Sequence, residues 1–212
     1  MYYGYIGYME ISASKPKEVQ PPVELEIGGH LALAFINTVW LERGETVDLF
    51  QNDDDVRCWL QRVGLPVSGA KSLPSGVLLS VARSLRELLR QSTVQRKAGQ
   101  PVILSKLNAF FIRTSSHLEM TREEGSQYRL NRVWPAGGPE QFLAPLADAA
   151  AELFVEGDFT LIRQCESDEC VLWFLDTTRA HRRRWCSMAT CGNRAKVSSF
   201  RARHISDQPK RL

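Results

Sequence analysis

Four cysteines near the end of the chain, Cys165, Cys170, Cys186 and Cys191, form two C-x4-C pairs fifteen residues apart. Two such knuckles joined by a loop can set four sulfurs at the corners of a tetrahedron about 2.3 Å from one Zn²⁺. Four thiolates close the shell and leave no position for a substrate, so the metal expected here is a single structural zinc. Disulfides or free thiols are the alternative readings of the same spacing. The compartment weighs against disulfides. No apolar run approaches the roughly 18 residues of a membrane span, and the opening MYYGYIGYMEISAS lacks the basic and long apolar regions of a signal peptide. A cytoplasmic address with no membrane partner is therefore expected, and thiols stay reduced there. Cys58, beside Trp59 and Leu60, reads as a buried small hydrophobe.

Charge is unevenly spread along the 212 residues. Residues 161–212 carry eleven Lys and Arg against five Asp and Glu, and the preceding 160 carry sixteen against nineteen. From Arg179 onward, ten cations face the single acid Asp207. An acidic body with a basic end is the asymmetry expected of a chain whose end meets a polyanion. A solvated basic terminus is the plainer reading of such a run, and the zinc knuckle leading into it favours an ordered surface.

Residues 1–22 end in Lys-Pro-Lys-Glu-Val-Gln-Pro-Pro and read as a flexible leader. The fold class expected is α+β: a mainly helical N-terminal domain with a small antiparallel sheet over 23–157, then a zinc-ribbon-like or treble-clef-like module with a basic C-terminal helix over 158–212. Leu31, Phe35, Thr38 and Val39 recur at helical spacing, and Asp53-Asp54-Asp55 begins a helix carrying Val56, Trp59, Leu60 and Val63. The clearest helix runs from about Ser75 to Gln91, with Val77, Leu78, Val81, Leu85, Leu88 and Leu89 on its stripe and Arg83, Arg86, Glu87 and Arg90 off it. A helix from Pro101 carries Leu104, Leu107, Phe110 and Phe111; a hairpin turns at Glu124-Gly125-Ser126; a further helix carries Phe142 to Leu153 and stops at Gly157-Asp158. Strands at 159–164 and 171–175 bracket the first knuckle, with Leu161 and Trp173 expected over the metal. Trp40, Trp59 and Trp134 read as core.

The run Arg182-Arg183-Arg184-Trp185-Cys186-x4-Cys191-Gly192-Asn193-Arg194-Ala195-Lys196, with the upstream cysteine pair and Trp173-Phe174-x-Asp176, resembles the signature of the CGNR zinc-finger family over residues 160–203. Gly28-Gly29-His30-Leu31-Ala32-Leu33 and Asn37-Thr38-Val39 resemble the opening of the ABATE domain, that family's usual N-terminal partner, with Ala34 where the family usually has aspartate. The resemblance implies a stress-induced transcriptional regulator.

The residues support particular expectations. Gly192 suits a positive φ in the knuckle, Asn193 suits a helix cap, and Val197, Phe200 and His204 share a helical face expected to pack on the knuckle. His181 and His204 are spare candidates for zinc ligation, but four cysteines already complete the shell. Arg194, Lys196, Arg201 and Arg203 are candidate phosphate contacts. Arg182, Arg183 and Arg184 rank second; as alternatives they form a solvated run or pair with Asp176, Glu166 or Asp168. His30, Asn37 and Arg43 are candidates for one ligand pocket, against a structural reading in which they cap or satisfy buried carbonyls. The function expected is a DNA-binding transcriptional regulator, with a homodimer and a small-molecule effector as further partners. The alternative is a small-molecule-binding or catalytic protein stapled by zinc. No H-E-x-x-H, G-x-S-x-G or phosphate-binding glycine loop occurs, so an enzyme is not expected.

Overall fold

The computed structural model describes residues 27–65, 67, 73–123, 127–133 and 138–206, and in the last helix the side chains as far as Arg201 and at Arg203. The leader, the turn at 124–126, Trp134 and the side chain of His204 lie outside the described residues.

Helix α1 (Leu31–Ile36) is the centre of the fold, with all but Leu31 buried. His30 caps it, Nδ1 accepting the Ala32 N–H at 3.1 Å. The helix does not continue through Thr38 and Val39 as expected. Those β-branched residues and Trp40 favour extended backbone, and the chain enters a hairpin, β1 (Val39–Glu42) and β2 (Glu45–Asp48). Arg43 (φ 54°) and Gly44 (φ 86°) form its two-residue turn, and positive φ at both positions is the twist that matches an antiparallel pair.

Helix α2 (Asp53–Arg62) starts in a capping box between Asn52 and Asp55. Val56, Trp59 and Leu60 face inward; Cys58 falls off that stripe and is exposed, not buried as expected. Asp53 also accepts the N–H groups of Gly76 (2.6 Å) and Leu79 (2.7 Å), capping the next helix, whose own first residue brings no side-chain acceptor. That helix, α3 (Val77–Lys97), buries Leu78, Ala82, Leu85 and Leu89. Arg86, expected off the stripe, is buried at 6% exposure. Its guanidinium donates to both oxygens of Asp48 (2.7 and 2.6 Å) and to Thr38 Oγ1 (2.9 Å), so helix and hairpin are joined by a charged pair under the surface.

Helix α4 (Leu104–Phe111) turns Leu107 and Phe110 inward. Strands β3 (His117–Arg122) and β4 (Tyr128–Val133) pair from His117↔Val133 to Arg122↔Tyr128. A 3₁₀ turn, Pro139–Leu143, leads into α5 (Ala144–Glu156). The rings of Phe35, Phe50 and Trp59 meet at 5.5–6.0 Å between centroids beside α1.

Strands β5 (Ile162–Gln164) and β6 (Trp173–Leu175) begin the last module and are shorter than expected. Alternation along three residues divides β6 between two cores. Trp173 joins the main core with Ile162. Phe174, and not Trp173 or Leu161, packs on the cysteines. A π-helical turn (Met188–Gly192) and helix α6 (Asn193–Ser206) follow. The class is the α+β expected, helix-rich with small antiparallel sheets.

Candidate metal centre and basic surface

The two knuckles bring the four sulfurs of Cys165, Cys170, Cys186 and Cys191 within 4.8 Å of one another. Cys186 Sγ lies 3.7 Å from Cys170 Sγ and 3.6 Å from Cys191 Sγ. A tetrahedron with bonds of 2.3 Å has edges of about 3.8 Å, so the cluster fits one structural Zn²⁺. Its electrostatics call for a cation. The hydrogen bond from Cys186 draws the Cys170 thiol down to about 5, while that same bond, burial and the neighbouring sulfurs push Cys186 far up. Without a dication one sulfur ionises at the expense of its neighbour; a bound Zn²⁺ lets all four do so. The Cys186 N–H points at Cys165 Sγ at 3.4 Å, a contact typical of a knuckle.

Gly192 does not serve by a positive φ, which it lacks. A Cβ there would stand 2.9 Å from Met188 Sδ, the end of a flexible, exposed side chain that can move aside. Nor does Asn193 cap α6. Its side-chain amide donates back to the Ala189 carbonyl at 3.1 Å and closes the same turn.

Asp176, fully buried, organises the loop between the knuckles. Its carboxylate accepts the Thr178 N–H (3.1 Å) and hydroxyl (2.6 Å) and the Arg183 N–H (2.9 Å), with Arg163 Nε at 3.8 Å. Burial pushes its pKa up, but these hydrogen bonds and the Arg163 charge prevail and hold it below the usual carboxylate range.

The three adjacent arginines then separate by role, because side chains of an extended segment alternate in direction. Arg182 and Arg184 are exposed and Arg183 turns inward. The Arg183 guanidinium stacks on Phe174 (4.2 Å to the ring centroid) and donates to the carbonyls of Trp185 (3.0 Å), Cys186 and Ile27 (3.3 Å). The guanidinium is thus committed to contacts within the fold. Arg184 pairs with Glu166 (2.5 Å) and Arg194 with Glu169 (2.7 Å), both at the surface. Lys196, Arg201 and Arg203 lie exposed along α6, where Arg203 Nε donates to the Ser199 carbonyl at 3.2 Å. Val197 (49%) and Phe200 (54%) do not pack on the knuckle as expected; they are exposed beside those cations.

The pocket expected from His30, Asn37 and Arg43 does not form. His30 caps α1, and Arg43 stands exposed at the hairpin tip. Asn37 is 1% exposed and its amide is taken by the backbone of Trp173, Nδ2 donating to the carbonyl (2.7 Å) and Oδ1 accepting the N–H (2.8 Å). This clasp ties α1 to the zinc module across 136 positions. A shallow groove lined by Arg83, Ser84, Glu87, Leu88, Gln91 and Lys106 lies elsewhere, along α3. Among the described residues, no helix is long and apolar enough to cross a membrane.

Comparison with known families agrees with this geometry. A family described as "CGNR zinc finger" matches residues 162–204. A second, ABATE, described as "Putative stress-induced transcription regulator", matches residues 29–157. No curated protein matches the chain.

Proposed function

This chain belongs to the ABATE family and carries a CGNR zinc finger, and we propose that it is a cytoplasmic, DNA-binding transcription regulator that acts by binding and not by catalysis. The observation that carries the reading is the surface of the zinc module. Lys196 and Arg201 on α6 and Arg182 on the preceding loop are exposed and have no partner among the described residues. Uncommitted cations on a metal-stapled scaffold suit phosphate oxygens, because no internal ion pair is broken when they bind. Arg184 and Arg194 form a second rank, since each must first exchange Glu166 or Glu169 for a phosphate. Arg203, whose Nε donates to the Ser199 carbonyl, joins this second rank. Arg183 leaves the set.

The test is fluorescence anisotropy of random-sequence duplex DNA across a salt series. Lys196→Ala with Arg201→Ala should weaken binding to all sequences and lower the slope of log K against log salt by about two. An unchanged slope, or no binding by the intact chain at low salt, sinks the reading.

A further inference from the structure

We propose that the β3–β4 hairpin is a dimerisation arm whose partner is the same hairpin of a second copy of this chain. The register places Leu118, Met120 and Arg122 of β3 on one face with Arg132, Leu130 and Tyr128 of β4. The other face carries His117, Glu119, Thr121, Arg129, Asn131 and Val133. Four apolar residues thus share one side with two arginines, and the other side is polar apart from Val133. That alternation belongs to a half-buried sheet, yet every residue of β3 is exposed, and Leu118, Met120, Tyr128 and Leu130 are 59–73% exposed. On the polar face Asn131 donates to Thr121 at 2.9 Å and Arg129 pairs with Glu123. Among the described residues, the four apolar side chains of the other face belong to no packed cluster.

A two-stranded hairpin is marginal in water without packing on one face. Side chains of this size offer on the order of 200 Å² each when free, so the four leave roughly 500 Å² of apolar surface, near the upper end for a monomer. Two such faces in contact remove roughly 1,000 Å², the threshold for a specific interface. The layout also suits a self-contact. Met120 and Leu130 form the central cross-strand pair, Leu118 and Tyr128 take two diagonally opposite corners of the face, and Arg132 and Arg122 take the other two. Face-to-face stacking about a two-fold axis that lies between the two sheets, parallel to the strands, sets Met120 of each copy on Leu130 of the other and leaves the arginines at the corners, where their long stems reach water, as an isologous interface with a polar rim requires. This interface does not depend on the DNA reading, but it serves it: a dimer presents two α6 helices to two half-sites.

Light scattering after gel filtration, on the full zinc-loaded chain under reducing conditions, tests the proposal. The wild type should be a dimer. Met120→Glu should be a monomer that keeps one zinc and its far-ultraviolet spectrum, and Thr121→Glu, on the polar face, should stay dimeric. Should Met120→Glu fail to fold, the milder Tyr128→Thr decides, with an expected rise in dimer dissociation constant of roughly tenfold or more. A monomeric wild type, a folded Met120→Glu that remains a dimer, or a Tyr128→Thr dissociation constant within twofold of wild type overturns it. The two readings separate in the same samples. A monomeric Met120→Glu that still binds duplex DNA with a salt-dependent constant leaves the DNA reading standing, and a wild-type dimer that binds none removes that reading while the interface stands.

Discussion

Replacing Asn37 by alanine should release the zinc module from the helical core. The Asn37 amide pairs with both backbone groups of Trp173 as a neighbouring strand would, at 2.7 and 2.8 Å and 1% exposure. Alanine removes one donor and one acceptor and leaves the Trp173 N–H and carbonyl buried. A buried group deprived of its partner costs about 1–3 kcal/mol; two adjacent groups that share whatever water enters the gap put the loss at about 2–4 kcal/mol. With a urea m-value of about 2–3 kcal/mol/M for a chain of this size, the unfolding midpoint should fall by roughly 1 M. Asn37→Asp keeps the shape but turns an oxygen toward the Trp173 carbonyl and buries a charge, so it should be worse than alanine. Urea unfolding followed by tryptophan fluorescence, with zinc content measured on the same samples, gives both quantities. A loss below about 0.5 kcal/mol for alanine, the level of a surface substitution, or aspartate no worse than alanine, would refute the clasp.

Removing zinc with a chelator, or changing Cys191→Ser, should unfold the module and also lower the melting midpoint of the whole chain by about 5 °C or more. The reason is that β6 places Phe174 on the cysteines and Trp173 in the main core; calorimetry that finds the apoprotein melting with the holoprotein would contradict it. Asp48→Asn should cost about 3 kcal/mol at neutral pH by leaving the Arg86 charge buried and uncompensated. Its pH profile gives the sign. Burial raises the Asp48 pKa, but hydrogen bonds from Arg86 and the Phe50 N–H and the Arg86 and Arg83 charges hold it below its ordinary 3.8. The stability it contributes is therefore full above pH 3.8 and lost as pH falls through the depressed value, so wild-type stability should fall more steeply in acid than that of Asp48→Asn; parallel curves would refute the pairing.

What the sequence revealed was local. Cysteine spacing is a property of short loops, and it identified all four ligands. The acidic start of α2 and the apolar stripes of α3, α4 and α5 are written within a turn or two of each residue. The overextended first helix was a failure of period: Leu31, Phe35 and Val39 fit a helix, but Leu41-Glu42-Arg43-Gly44-Glu45-Thr46-Val47 alternates around a turn pair and carries the hairpin signal. The partners of Asn37, Arg86 and Arg183 lie far away in sequence or inside a charge run, and no period or composition marks them. Arg183 is the instructive case. Its neighbours differ from it only in direction, and alternation in an extended segment held by Asp176 could have suggested that one of three arginines points inward.

These buried polar contacts determine how the basic surface is presented. A finger on a flexible tether would search for DNA independently of its neighbour. Here the module is held by the Asn37 clasp, by Arg183 reaching the Ile27 carbonyl, and by Ile162 and Trp173 in the main core. The Asn37 clasp falls at the C-terminal end of α1 and the Ile27 contact just ahead of its start, and the helix between is buried in the core. A ligand that displaced α1 would have to strain or break the Asn37 clasp, and by linkage the same free energy would then couple module and ligand. The helix that centres the N-terminal core is the one whose C-terminal cap, Asn37, holds the zinc finger in place.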